Sequence, residues 1–244
     1  MGKLHELLAV ETHLQVEAQR VMQATQSLFT DGQARLEGLH RTYTPTDEHG
    51  DILPGEHTEL ATTVEAELAQ VRASFGKWLD ASFQKETTNT GTAANVEIDG
   101  NTLLEDVPAP ALLNLEAKLA ALRKVYEAIP VTDPSIRWTL NTDVGGYVSP
   151  EQSRFVTQKV QEPLVLYPAT PEHPAQTQLV VRDVRVGTWH ITTYSGKVSA
   201  TVKREWLARI DNLLEAVKRA RQRANDIEHV TDVAAETLFA YIHS

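Results

Sequence analysis

From Val202 onward, apolar residues fall at Val202, Trp206, Ile210, Leu213, Val217, Ala220, Ala224 and Ile227, in steps of four and three. That near-heptad spacing draws a single stripe down one helix, and the stripe must be covered by other helices or by another chain. Three further segments carry helical periodicity. Leu4, Leu7, Leu14, Ala18, Val21 and Leu28 form a stripe that Glu11 and Thr25 interrupt. Asp31-Gly32 breaks it, and Ala34, Leu36 and Leu39 extend it by a turn or two. A second helix is expected from Thr58 to Gln84, with its seam at Leu60, Val64, Leu68, Val71, Phe75, Trp78 and Leu79. The third starts near Pro108 and Pro110, buries Leu112, Leu115, Leu119, Leu122 and Ile129, and stops at Pro130.

Elsewhere the pattern changes. Residues 41–57 hold Pro45, Gly50, Pro54 and Gly55 and read as an ordered loop. Asp99-Gly100-Asn101, flanked by Val96, Ile98, Leu103 and Leu104, reads as a short β-hairpin. Between Ile136 and Ser195 the period falls to about two, the strand signature. Trp138 and Leu140 lead through Asp143-Val144-Gly145-Gly146 to Tyr147-Val148 as a hairpin. Phe155 to Tyr167 alternates loosely, with Pro163 marking an edge or a bulge. Gln178 to Tyr194 is the best strand, broken near Gly187, with Trp189, Ile191 and Thr193 on one face.

Helices, then strands, then a helix define an α+β fold rather than an alternating one. The expected architecture is a bundle or coiled-coil-like layer of long amphipathic helices, with a mostly antiparallel sheet between the third and last of them. The chain is expected to form one unit over residues 1–244. Its parts are a helical stretch at 1–90, a hairpin, helix and sheet at 91–200, a long helix at 201–230 and a C-terminal arm at 231–244.

Composition narrows the chemistry. The chain has 23 Lys and Arg against 33 Asp and Glu, a net charge of −10, which disfavours coating nucleic acid or anionic membrane. With no cysteine there are no disulfides, thiolate zinc sites or cysteine nucleophiles. No secretory h-region follows the start, no window approaches a spanning helix, and Glu6 spoils a myristoylation match at Gly2. A soluble, cytoplasmic protein is therefore expected. Neither common phosphate-binding glycine motif occurs.

Several motifs do carry a resemblance. They are Lys3-Leu4-His5, the loop Tyr43-x-Pro45-x-Asp47-x-x-Gly50-x-x-Leu53-Pro54, and Asp99-Gly100-x-x-Leu103-Leu104-x-Asp106-Val107-Pro108. Further along come His173-Pro174-Ala175-Gln176, Val186-Gly187-Thr188-Trp189, and Ala216-Val217-Lys218-x-Ala220-Arg221 with Ala224-Asn225. On these the chain resembles an uncharacterised bacterial and phage protein family, matching nearly throughout to about Ile227. The resemblance implies one co-evolving unit and no activity, cofactor or catalytic residue.

Candidate sites are few. His5-Glu6 opens like a zincin motif, but Ala9 stands where its second histidine belongs; His5 and His13 share a helix side instead. Asp47, His49, Asp51 and His57 concentrate oxygen and imidazole donors, the first place to look for a divalent ion, without the spacing of an EF-hand. His173 sits in a stiff proline loop, with no nucleophile elbow to serve as a base. Lys218, Arg219, Arg221 and Arg223 form a basic cluster suited to phosphate, although Glu215, Asp226 and Glu228 lie beside it.

The functional expectation is a non-enzymatic, self-associating structural or scaffolding protein with no cofactor, whose partner is a second copy of itself. Its helical seam would use Trp206, Ile210, Leu213 and Val217, and an exchanged C-terminal arm would use Leu238, Phe239 and Ile242. One alternative is a nucleic-acid-associated accessory protein using segment 218–223. Another is a metal-dependent hydrolase built on the 47–57 loop or on His173.

Overall fold

The computed structural model describes residues 4–86, 93–169, 171 and 173–225. Four α-helices and eight strands are defined among them: α1 (Leu4–Thr30), β1 (Glu37–Pro45), β2 (Glu56–Thr58), α2 (Val64–Glu86), β3 (Ala93–Ile98), β4 (Asn101–Pro108), α3 (Ala109–Ala128), β5 (Thr139–Asn141), β6 (Gly146–Val148), β7 (Gln152–Tyr167), β8 (Gln176–Ser195) and α4 (Ala200–Asn225). The fold is α+β, and every strand ladder is antiparallel. No described helix is long and apolar enough to cross a membrane.

Local chemistry sets the element ends. Thr63 caps α2, its Oγ1 accepting from the Ala66 N–H, and Ser199 caps α4 in the same way through Val202 N–H. α3 opens with Pro110 in its first turn and ends before Pro130. The β3–β4 turn places Asp99 at φ 51° and Gly100 at φ 78°, the two left-handed residues of the expected tight hairpin.

Compactness divides the chain into two units, each of discontinuous segments: residues 1–23, 71–127 and 204–244 in one, 24–70 and 128–203 in the other. The first contains a core in which the β3–β4 hairpin gives Val96 and Val107, α3 gives Ala111, Leu112, Leu115 and Leu119, and α4 gives Ala216, Val217, Ala220 and Ala224. The three α4 alanines let backbones approach closely, as small contact residues do. Arg123 on α3 forks onto Asp211 of α4, donating to its two oxygens at 2.6 and 3.2 Å. That hydrogen-bonded guanidinium holds the Asp211 carboxyl below its ordinary value of 3.8. A lowered folded-state value contributes stability in full above the unfolded value and loses it as pH falls through the folded one. Asp211→Asn is therefore expected to flatten the acid arm of the stability profile, with a small effect for so exposed a pair, checked by urea midpoints from neutral pH downward.

The second unit holds a six-stranded sheet in the order β2-β1-β8-β6-β5, with β7 also on β8. β1 pairs with the C-terminal half of β8, from Glu37↔Ser195 to Pro45↔Gly187. One 3-10 turn, Gln33–Leu36, stands where the extra helical turns were expected, strand takes Glu37–Pro45 and Glu56–Thr58, residues 46–55 keep the expected loop, and α2 begins at Val64 instead of near Thr58. The reason is long-range pairing: β8 supplies hydrogen bonds that local composition does not signal. At the base of the sheet Gly196 donates to Leu36 O and accepts from Val64 N–H, both at 2.8 Å. β8 is a single strand of 20 residues, and the irregularity expected near Gly187 takes the form of a one-residue bulge at Val186.

Candidate interaction surface

The sheet does not end where its neighbours do. β7 has 16 residues and pairs with β8 alone, from Gln152↔Ile191 out to Tyr167↔Gln176. The stretch of β8 from Gln176 to Arg185 pairs with β7 alone among the described strands, and Val186 O accepts from Thr46 N–H at 3.0 Å where β1 ends. At ~3.3 Å per residue this makes a two-stranded ribbon roughly 35 Å long. One-residue register shifts flank it, between Val156 and Thr157 and between Val165 and Tyr167. Such bulges bend a strand and increase its twist.

At its base the ribbon is fastened by Arg185, whose guanidinium lies 3.6 Å from the Phe155 ring centroid and donates to Thr188 Oγ1 at 2.6 Å. Midway, Arg182 meets Glu162 at 3.1 Å across the strands. Alternation then assigns the faces. Val160, Leu164, Val180 and Val184 lie on one side, and Pro163, Val165, Leu179 and Val181 on the other. Among the described residues neither side is covered. Leu164 is 53% exposed, Leu179 65% and Tyr167 67%. Both outer edges also present unpaired backbone groups, the feature that soluble proteins usually blunt.

A bare two-stranded hairpin with apolar groups on both faces is marginal in water by itself. The ribbon therefore has the chemistry of an interface. The signal for it lay in the sequence as the continuous apolar runs Pro163-Leu164-Val165-Leu166-Tyr167 and Leu179-Val180-Val181. Runs of that kind denote strands buried on both faces, and the described residues provide no cover.

The residues singled out from the sequence are distributed otherwise. Val217 is completely buried within its own unit, Leu213 packs against the same core, and Trp206 stands edge-on to Tyr126 at 6.0 Å. Ile210 is half-buried. The C-terminal part of the α4 stripe thus packs within its own unit at Val217, while Trp206, Ile210 and Leu213 keep part of their surface exposed. Leu238, Phe239 and Ile242 lie outside the described residues, as does the rest of the C-terminal arm.

Every member of the basic cluster faces an acceptor. Lys218 and Arg221 converge on Glu116 at 3.9 and 3.4 Å, Arg219 meets Glu215 at 2.6 Å, and Arg223 donates to Asn95 O at 2.7 Å. Asp47, His49 and Asp51 share one loop beside the ribbon base, where Asp47 Oδ1 accepts from His49 N–H at 3.1 Å. His57 is not with them. It stands on β2 opposite His40, so the expected four-residue cluster does not form; among the described residues no three His, Cys, Asp or Glu side chains gather as a metal site. His13 is exposed on α1, and His5 lies in α1 with its side chain outside the description. His173 is exposed in the connection between β7 and β8.

One further concavity of about 460 Å³ lies over the sheet, lined by Glu37, Asp133, Trp138, Tyr194 and Lys197 among others. Its cation is already engaged: Lys197 Nζ lies 2.6 Å from Glu37 Oε1. The Asp133 carboxylate accepts from Ser135 Oγ and N–H at 2.7 and 2.8 Å, which draws it below the usual carboxylate range. Both groups are thus engaged within the chain, Lys197 by Glu37 and Asp133 by Ser135.

Fold and surface together define an α+β protein whose antiparallel sheet runs on into an uncovered apolar ribbon. The chain belongs to a family of unknown function (DUF7873), whose family model matches residues 1–244. No curated protein and no solved structure matches the chain.

Proposed function

We propose that this protein is a self-associating structural component, and that the β7–β8 ribbon is the element by which one copy engages another. The observation that carries this reading is the exposure of the ribbon on both faces and along both edges. Covering a half-exposed Leu or Val there returns roughly 1 kcal/mol, and several lie on each face. Charge favours a second copy as the partner. The whole chain is at −10, yet residues 157–185 carry three charges of each sign: Lys159, Arg182 and Arg185 against Glu162, Glu172 and Asp183. Two copies of an acidic chain repel least where each is neutral, and mixed signs can complement themselves about a twofold axis. The α4 stripe contributes less support, since Val217 and its alanine neighbours are already covered.

The basic cluster gives the nucleic-acid reading little help, because its four side chains already face Glu116, Glu215 and Asn95 O. A hydrolase has no assembled set of catalytic groups to stand on among the described residues.

Light scattering on the purified chain tests the proposal. The expected particle is a multiple of 27.1 kDa at micromolar concentration. Leu164→Lys combined with Leu179→Lys places one charge on each ribbon face and is expected to shift it to the single-chain mass with unchanged far-UV circular dichroism. A wild-type particle of 27.1 kDa throughout that range overturns the reading, and so does an oligomer indifferent to both lysines.

A further inference from the structure

We propose that the His40–His57 pair binds a divalent transition-metal ion of the zinc type. The two residues are direct partners in the β1–β2 ladder, and β2 is the outermost strand of the sheet. Their Nδ1 atoms lie 3.3 Å apart. Two nitrogen ligands at the ~2.0–2.1 Å of a tetrahedral zinc site are about 3.3–3.4 Å from one another, so the pair already holds the spacing an ion requires. The His57 side chain is 54% exposed, which leaves the ion a path from solvent.

An independent feature is Glu59, whose Oε1 lies 3.7 Å from His57 Nε2. A small rotation of the exposed Glu59 side chain brings this carboxylate within hydrogen-bond reach of the remote nitrogen, where it would keep the N–H and leave the Nδ1 lone pair facing His40. That carboxylate–histidine–metal order is the one that orients metal-bound imidazoles generally. With the ion absent, one ring donates its Nδ1–H to the other's Nδ1; with it present, that ring carries its proton on Nε2 instead, and both Nδ1 lone pairs face the ion with no net change in protons.

Two protein ligands are all the described residues supply at this point, and water completes the tetrahedron. His190 points from the same face, since it pairs with Thr42 while His40 pairs with Thr192. Its Nδ1, however, is held 2.8 Å from Glu151. Imidazole nitrogen selects zinc, copper or nickel over calcium and magnesium, so the site differs in kind from general cation attraction by an acidic surface.

Because the chain contains nine histidines, the test assigns the ion by variants. Tag-free full-length protein is stripped with a chelator and titrated with zinc chloride, by calorimetry and against a chromophoric chelator, with excess magnesium present. A saturable micromolar site is expected. Its affinity should fall at least tenfold in His40→Ala and in His57→Ala, and roughly tenfold in Glu59→Gln, with His49→Ala and His190→Ala binding as wild type. Zinc should also raise the thermal midpoint of the wild type and not of His40→Ala, a readout separate from affinity. Zinc binding that is unchanged in both His40→Ala and His57→Ala overturns the proposal, as does the absence of saturable binding at sub-millimolar zinc. None of these outcomes depends on whether the chain self-associates through its ribbon.

Discussion

Leu112→Ala is expected to lower the unfolding free energy of the α3–α4 unit by about 3 kcal/mol, while Leu113→Ala changes it by less than about 0.5 kcal/mol. The two positions are adjacent on α3 and chemically identical, and differ in what they touch. Leu112 is completely buried among Val96 and Val107 of the hairpin and Val217 and Ala220 of α4, whereas Leu113 is 54% exposed. Removing a buried isobutyl group costs its transfer free energy plus the cavity it leaves, and the cavity persists where neighbours cannot collapse. The facing residues on α4 are Ala216, Ala220 and Ala224, whose side chains are too short to reach into the space. Urea unfolding followed by tryptophan fluorescence can assign the loss, because Trp78 and Trp206 report on this unit and Trp138 and Trp189 on the other. Equal effects at the two leucines would show that α3 does not present the 112 face to this core.

How much of this could be read beforehand divides along contact range. The helices were legible because their stripes are local: Leu112, Leu115 and Leu119 announce a buried face whatever covers it. The β3–β4 hairpin was legible because Asp99-Gly100 accepts a backbone that few other pairs tolerate. β1 was not legible. Its residues Glu37 to Pro45 become a strand only because Ser195 to Gly187 lie alongside, far away in the chain, and Pro45 and Gly50 nearby mark a loop. The same blindness affects the candidate sites. A stripe such as Trp206 to Val217 has one periodicity whether its partner is the same chain or another, and only its Val217 end is fully buried within the chain. The cluster 218–223 looked basic because Glu116, which neutralises Lys218 and Arg221, belongs to a different helix. His40 and His57 are separated by 17 positions and meet only through the β1–β2 register. What the sequence did display, and helical seams overshadowed, is the doubly apolar run of the ribbon.

Gly187→Val is the other substitution with a large expected cost, about 3 kcal/mol, and it tests how the ribbon is anchored. Gly187 lies at the last β1 pair, opposite Pro45, where β8 passes from the sheet into the ribbon. Its backbone is extended and would accept any side chain; the constraint is Tyr43, whose ring occupies the space a Cβ would take. That ring is held from the other side by Trp189, with centroids 5.0 Å apart, and Trp189 in turn lies under the Arg41 guanidinium at 4.3 Å, which Glu56 holds at 3.0 Å. With this stack behind it the tyrosine cannot withdraw, so a valine must displace backbone or ring. A double-mutant cycle separates this clash from any intrinsic effect of losing a glycine. Tyr43→Ala alone forfeits the stacking on Trp189, but in its presence Gly187→Val should cost at least about 1 kcal/mol less than in the wild type, because the space is vacant. If the valine costs the same with and without Tyr43, the aromatic ring is not what requires glycine at 187, and the ribbon's attachment rests on its backbone pairing alone.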